Sequence, residues 1–302
     1  MRALVTGASG FLGTEVCNAL LARGDEVVGL SRDPEKALGT NPRVAWHAWQ
    51  PQLERPPAEA FDGVDGVVHL VGETTNQRWT GEAKQRIMES RSKSTHNLAQ
   101  AIESLQDRPG VLVSQSATGF YGDRGEAIVD ESSEPGDDFL VDVVRQWEDA
   151  AREVEGTGIR LVTLRSGPVL DPRSGMLKEL LTPFKLGVGG PLAGGGQYVP
   201  WIHRSDWVAL VLWALDNPEV KGVVNATAPK PATNRELSKA LGRALNRPAV
   251  VPVPGFVPGI MFGREFAETV ATAGQRAVPR RAQDLGFEFR HAEIDEALRD
   301  LL

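Results

Sequence analysis

One cysteine, Cys17, stands among 302 residues. An internal disulfide is therefore excluded, and a reducing cytoplasm is the expected setting. Cys17 falls within a helical pattern, where packing rather than reactivity is expected. The five histidines offer no more: no Cys or His cluster has metal-ligand spacing, so no metal is expected. No apolar run is long enough to span a bilayer, so no membrane partner is expected. Met1 opens directly into a strand-like run, which is expected to leave no room for a signal peptide. Basic blocks are missing too. With a formal net charge of −7, nucleic acid is not an expected partner, and any phosphate ligand must be held by local groups. What remains is 41% hydrophobic and 24% charged, an ordinary globular composition. The length suffices for one large core, or for a core with a smaller lobe.

The chain is organised around its first thirteen residues. Met1 to Val5 is a short apolar run leading into Thr6-Gly7-Ala8-Ser9-Gly10-Phe11-Leu12-Gly13. Phe11, Leu12, Val16, Ala19 and Leu20 then recur at helical spacing until Arg23-Gly24-Asp25. Strand, glycine turn and helix, in that order, are the context that makes a glycine pattern a nucleotide site. Gly7 permits the tight turn, Gly10 lets the backbone approach a pyrophosphate, and Gly13 lets the helix pack closely on the strand. Ser9, Phe11 and Leu12 complete the expected phosphate-facing set, because free N–H groups at a helix start attract anions. A plain βα turn that merely needs glycines is the bland alternative; the context favours the dinucleotide site.

Further strand-like runs lie at Glu26 to Ser31, near Val44 to Trp49, and at Asp65 to Val71. The last is almost continuously apolar, as a strand buried on both faces should be. A long helix is expected over Gly81 to Leu105, with Ile87, Ser94, Leu98, Ala101 and Leu105 on one face. Val111 to Ser114 reads as strand, Ser116 to Asp138 as loop, Phe139 to Val154 as helix and Ile159 to Arg165 as strand. Pro183 to Gly196 reads as a glycine-rich loop beside a ligand. Asp206 to Leu215 should be helical, and Gly222 to Asn225 the last sheet strand. Thr233 with Glu236 forms a capping box for a helix to Leu245. Val250 to Pro258 holds too many prolines for helix or central strand. Ile294, Ala297, Leu298 and Leu301 mark a closing amphipathic helix.

This alternation implies an α/β fold: a Rossmann-type, doubly wound, seven-stranded parallel sheet with a smaller C-terminal lobe. Residues 1–170 with 203–228 are expected to form the nucleotide-binding domain, and 171–202 with 229–302 the substrate-facing lobe.

These residues resemble the extended short-chain dehydrogenase/reductase superfamily over essentially the whole length. Thr6-Gly7 through Gly13 matches its cofactor loop, Val68-His69-Leu70-Val71-Gly72 its fourth strand, and Ser114 to Gly122 its active-site loop. Within the superfamily the chain resembles an atypical, epimerase-like group with names such as nucleotide-sugar epimerase. The matching stretches are Gly72-Glu73, Arg78-Trp79, Ser90-Arg91 and Pro183 to Pro191, then Gln197 through Trp201-Ile202-His203 to Asp206. Gly274-Gln275-Arg276, Pro279 and Gly286-Phe287 follow in order.

The resemblance implies a dinucleotide cofactor and says where each part would sit. Arg32 follows the second strand, beside the adenosine ribose. An arginine there can fork onto the 2′-phosphate of NADP, where a carboxylate would favour NAD, and Ser31 could add a donor. The ordinary alternative is a solvated surface arginine; NADP(H) is the expected cofactor. Leu70, Val71 and Gly72 would line the nucleotide, joined by Ser114, while Ser166, Gly167, Pro168 and Val169 would reach the nicotinamide. Glu73 and Arg91 would sit near the cleft, although a helix-start carboxylate and a solvated helix face are equally natural readings.

Catalysis in the superfamily uses a Tyr and, four residues later, a Lys that lowers the Tyr pKa and grips the ribose. The chain has only two tyrosines: Gly125 lies four residues after Tyr121, and Ile202 four after Tyr198. Matching Glu148 to the family's acidic position puts Leu140 and Val144 where Tyr and Lys belong. Ser116 matches the substrate-orienting Ser and Tyr121 the aromatic of its Tyr-Gly dipeptide; these two are the catalytic candidates, against plain loop bonding and packing roles. His203 and Asp206 are spaced for acid–base work, but capping is favoured for Asp206. The expected function is an NADP(H)-binding, epimerase/oxidoreductase-like protein acting on a small hydroxyl or carbonyl substrate, with a homodimer open. The alternative is a non-catalytic NADP(H) sensor.

Overall fold

The structure is a computed structural model that describes residues 1–302. Its sheet has seven strands: β1 (Arg2–Thr6), β2 (Glu26–Ser31), β3 (Ala45–Ala48), β4 (Gly66–His69), β5 (Val111–Ala117), β6 (Arg160–Ser166) and β7 (Gly222–Ala226). All pair in parallel, in the order β7-β6-β5-β4-β1-β2-β3. From β1 the chain winds outward to β3, then returns and winds the other way from β4. The crevice beyond the carboxyl ends of β1 and β4 is therefore the switch point, where ligands bind in sheets of this kind.

The main helices are α1 (Phe11–Ala22), α2 (Pro34–Thr40), α3 (Gly81–Ser104), α4 (Phe139–Arg152), α5 (Gly175–Lys185), α6 (Arg204–Asp216) and α7 (Asn234–Leu245). Alternate residues of a strand face opposite ways, and the two cores follow that rule. Ala3 and Val5 pack with Val16 and Leu20 of α1 and with Trp207, Leu210 and Val211 of α6. Leu4, between them in the chain, packs on the other face with Leu98, Ala99 and Ile102 of α3 and Ala151 of α4. Each Leu- or Val-sized side chain so buried contributes about 1.5–3 kcal/mol, which holds the strand ends in fixed register. A third cluster joins Leu177, Leu181 and Phe184 of α5 to Leu241 of α7 and to Ala297 and Leu298 of the closing helix Ile294–Leu301.

The expected α3 face is buried at Ile87, Ser94, Leu98 and Ala101. The Thr233–Glu236 capping box forms with both hydrogen bonds present. Three local expectations need correction. β5 runs three residues past Ser114, so Ser116 is a strand-end residue rather than part of a loop. The stretch beginning at Pro183 is not all loop: α5 continues to Lys185 with Pro183 inside it. A proline two residues from a helix end removes only one intrahelical hydrogen bond, and the burial of Phe184 holds the turn. Asp206 does not cap its helix. His203 is the cap, its Nδ1 accepting the Ser205 amide at 3.1 Å, and the buried Asp206 carboxylate instead accepts the amides of Arg290 and His291 at 3.1 and 2.9 Å. No helix is long and apolar enough to cross a membrane.

Candidate functional site

The glycine turn closes β1 onto α1 as its spacing requires. Gly7 has φ +65°, and a Cβ there would stand 2.9 Å from the Leu70 carbonyl oxygen. At Gly13 a Cβ would come within 2.1 Å of the Gly7 carbonyl oxygen, so nothing larger lets α1 approach the turn. Gly10 is the N-cap of α1 and supplies no side-chain cap, leaving the first helical amides open to a ligand.

Two cavities open at this point, of about 390 and 400 Å³. One is lined by Gly7, Gly10, Gly13, Leu70, Val71, Gly72 and Glu73. The other reaches Ser116, Ala117, Gly119, Leu140, Val144, Ser166, Gly167 and Val169. Phe11, Leu12, Arg91, Gln115, Trp147 and Ser174 line both. Most of the residues selected from the sequence thus meet in one cleft. Ser9, Ser31, Arg32, Ser114, Pro168 and Tyr121 line neither cavity.

Among these, Arg32 is exposed at the end of β2. Its neighbour Asp33 could have offered the carboxylate that favours NAD. That carboxylate is engaged by the helix: Asp33 is the N-cap of α2, and its Oδ1 accepts the Lys36 amide at 3.1 Å. The Ser31 hydroxyl is occupied as well, accepting the Asp33 amide and donating to the Asp33 carbonyl, each at 3.1 Å. Ser114 is buried inside β5.

Beneath the second cavity runs a buried polar chain that sequence spacing did not reveal. Ser116 Oγ donates to Glu148 Oε1 at 2.6 Å. Arg165 forks onto the same carboxylate, Nε to Oε1 and Nη2 to Oε2, both at 2.8 Å. Arg165 Cζ lies 3.3 Å from the Phe120 ring centre, and Nη1 donates to the Tyr121 hydroxyl at 3.3 Å. That hydroxyl donates to Asn225 Oδ1 at 2.7 Å, and Asn225 Nδ2 donates to the Val278 carbonyl at 3.0 Å. The strand ends of β5, β6 and β7 are thereby tied to α4 and to the C-terminal segment. Tyr121 is 0% exposed, and burial pushes its phenol up to about 12. The structure thus brings Ser116 to the cleft but not Tyr121. The helix positions matched to Tyr and Lys carry Leu140 and Val144, and both line the cavity. That wall offers a ligand apolar contact and no proton.

Glu73 lines the first cavity, with its carboxylate held below the usual range by the hydrogen bond from Gln77 at 2.9 Å and by Arg86 at 3.1 Å. Cys17 is buried in α1, and burial pushes its thiol up to about 12. Away from the cleft, His203, His291 and Asp300 bring ligand-type atoms within 4.8 Å of one another. The cap decides their chemistry. A ring nitrogen that accepts the Ser205 amide puts the neutral ring's proton on Nε2, which faces Asp300 Oδ2 at 3.2 Å. Nε2 is then a donor with no lone pair for a metal. Burial and the stacked His291 ring, 3.8 Å away, keep His203 below its ordinary pKa.

Comparison with known proteins agrees with this geometry. Residues 3–226 match the model of the NAD dependent epimerase/dehydratase family, and residues 253–301 match a domain of unknown function, DUF1731. The human epimerase family protein SDR39U1 is 36% identical over 306 residues, covering 100% of both chains. Its chloroplastic homolog from Arabidopsis thaliana is also 36% identical, covering 100% of this chain and 87% of the relative. A crystal structure of the human protein with NADPH superposes at a TM-score of 0.89 and 35% identity, covering 100% of this chain and 99% of the other. The UDP-glucuronic acid 4-epimerase of Bacillus cereus, with NAD, shares the fold at a TM-score of 0.79 and 18% identity, covering 100% and 95% of the two chains.

Proposed function

The chain belongs to the NAD dependent epimerase/dehydratase family, and from that premise we propose that it binds NADP(H) and acts on a small substrate carrying a hydroxyl or carbonyl group. The observation that carries the cofactor choice is the exposed Arg32 at the end of β2, beside an Asp33 whose carboxylate caps α2. The human relative crystallised with NADPH supports it. In this reading Gly7, Ser9, Gly10, Phe11, Leu12 and Gly13 hold the pyrophosphate, with Arg32 at the 2′-phosphate beside Ser31, whose hydroxyl Asp33 engages. Leu70, Val71, Gly72 and Glu73 flank the nucleotide, with Ser114 buried behind them in β5, and Ser166 to Val169 border the nicotinamide. When bound, the nicotinamide supplies or accepts a hydride. Ser116 orients the substrate, and residues 171–202 with 229–302 serve as the lobe that closes on it. The single buried cysteine suits a reducing cytoplasm.

A second reading has its own observation. Leu140 and Val144 make the wall at the expected catalytic positions apolar, which favours a protein that senses NADP(H) without turning it over. Fluorescence titration tests the common premise. NADPH should bind more tightly than NADH, and Arg32→Ala should cost about 1.5–3 kcal/mol for NADPH and little for NADH. Equal affinities in the unaltered protein would sink the assignment.

A further inference from the structure

The six residues common to both cavities form a throat between them, and Arg91 is the only charged side chain among the six. A ligand long enough to occupy both cavities must pass its middle through this throat. Arg91 is also the only cation lining either cavity. Its Nη1 donates to the Ile87 carbonyl at 3.0 Å, and its Cζ stands 5.1 Å from the Trp147 ring centre. Those contacts fix the guanidinium without neutralising it. No carboxylate lies within ion-pair distance, because Glu73 is engaged by Arg86 and Gln77. Gly72 makes room for the head group: a Cβ there would come within 3.1 Å of Arg91 Cζ. Burial lowers the guanidinium to about 10, which leaves it charged at neutral pH. The Trp147 indole N–H, also buried, has no partner in the protein. Phe11 and Leu12, at the open start of α1, complete the throat, so an anion held there meets helix amides and a guanidinium together.

We propose that Arg91 is the positioning residue that grips the pyrophosphate–ribose middle of the dinucleotide from α3, in a cleft whose α4 wall carries no charge. The proposal rests on the NADP(H) reading above. Arg91 acts by holding, not by proton transfer, since a guanidinium stays protonated.

The test compares NADPH with adenosine 2′-phosphate, which has the adenine end but neither pyrophosphate nor nicotinamide. Calorimetry on Arg91→Ala should show NADPH weakened about 10- to 100-fold, the loss of one charge-assisted contact. Adenosine 2′-phosphate should bind as before, and Arg91→Lys should fall between parent and Arg91→Ala. Where Arg91→Ala fails to fold, Arg91→Lys alone decides, with NADPH weakened and adenosine 2′-phosphate unchanged. Unchanged NADPH affinity, or equal losses for both ligands in a variant that melts like the parent, would overturn the proposal alone. Absence of NADPH binding in the unaltered protein would instead overturn the cofactor reading and this proposal with it.

Discussion

His69 gives a direct test of how the ends of β1 and β4 are joined to α3. It ends β4 with its ring fully buried between β1 and α3. Thr6 Oγ1 accepts the Leu70 amide at 3.1 Å, so its own proton points to His69 Nδ1, 2.7 Å away. Nε2–H is then the donor to Thr95 Oγ1 at 2.9 Å, and the ring is neutral with both nitrogens engaged. Burial pushes its pKa from 6.5 down to about 3. The unfolded chain takes up this proton near its ordinary pKa, whereas the native chain does not. Stability from the neutral ring is therefore fully present above about pH 6.5 and is lost as pH falls toward 3. One proton is worth about 1.4 kcal/mol per pH unit, so the loss at pH 4.5 is roughly 3 kcal/mol. Gln can offer an acceptor and a donor without titrating. Urea unfolding of the parent and of His69→Gln at pH 7.5 and 4.5 should show a fall in stability smaller by roughly 3 kcal/mol in the variant. An equal fall in both proteins would refute the neutral buried ring.

Four further outcomes follow from the turn, the buried ion pair and the apolar α4 wall. Gly10→Val should fold, since a Cβ at Gly10 meets only the Gly7 carbonyl oxygen at 3.1 Å, yet lose NADPH binding in a fluorescence titration; Gly13→Ala, facing that oxygen at 2.1 Å, should lose about 1–3 kcal/mol in denaturant unfolding. Arg165→Met leaves the Glu148 carboxylate buried without its forked partner and should cost about 3–5 kcal/mol, a value below about 1 kcal/mol contradicting the importance of the pair. Absorbance assays with ordinary aldehydes and ketones should show no appreciable NADPH oxidation, because lacking a positioned acid removes about 10²–10⁴-fold in rate.

The parts of this molecule that were readable from sequence are those governed by local rules. The Thr6 to Gly13 turn announces itself because strand, glycines and helix are adjacent in the chain. The Thr233 capping box and the α3 stripe follow from spacings of three and four. The parallel, doubly wound sheet follows from the alternation of strands and helices, whereas the order of its strands comes from the structure. What stayed hidden is long-range. Glu148 and Arg165 are 17 positions apart on different elements, and nothing in their spacing says that they share one buried carboxylate. Asp206 reads as a cap because its position at a helix start suits one. Its real partners, the amides of Arg290 and His291, lie 84 and 85 residues away. Tyr121 is a candidate because it matches the aromatic of a Tyr-Gly dipeptide in a stretch that reads as loop; the fold instead buries it against Arg165 of β6 and Asn225 of β7.

That sealing changes the proton accounting. The hydroxyl of Tyr121 is committed to Asn225 as donor and to Arg165 as acceptor. Ser116 reaches the cavity, but its proton is committed to a carboxylate that Arg165 already neutralises. Toward the cleft Ser116 therefore presents lone pairs. A group that docks on it must itself donate, as an alcohol or an amide does, whereas a carbonyl oxygen finds no donor there. Of the two residues whose type first suggested proton transfer, one is an acceptor and the other is structural. For an enzyme of this architecture, the arrangement suits a hydroxyl held for oxidation better than an alkoxide awaiting a proton. For a sensor, it suits a cofactor amide held in place. Either way, the buried Glu148–Arg165 pair sets the polarity of Ser116, and with it the kind of group that can dock on that hydroxyl.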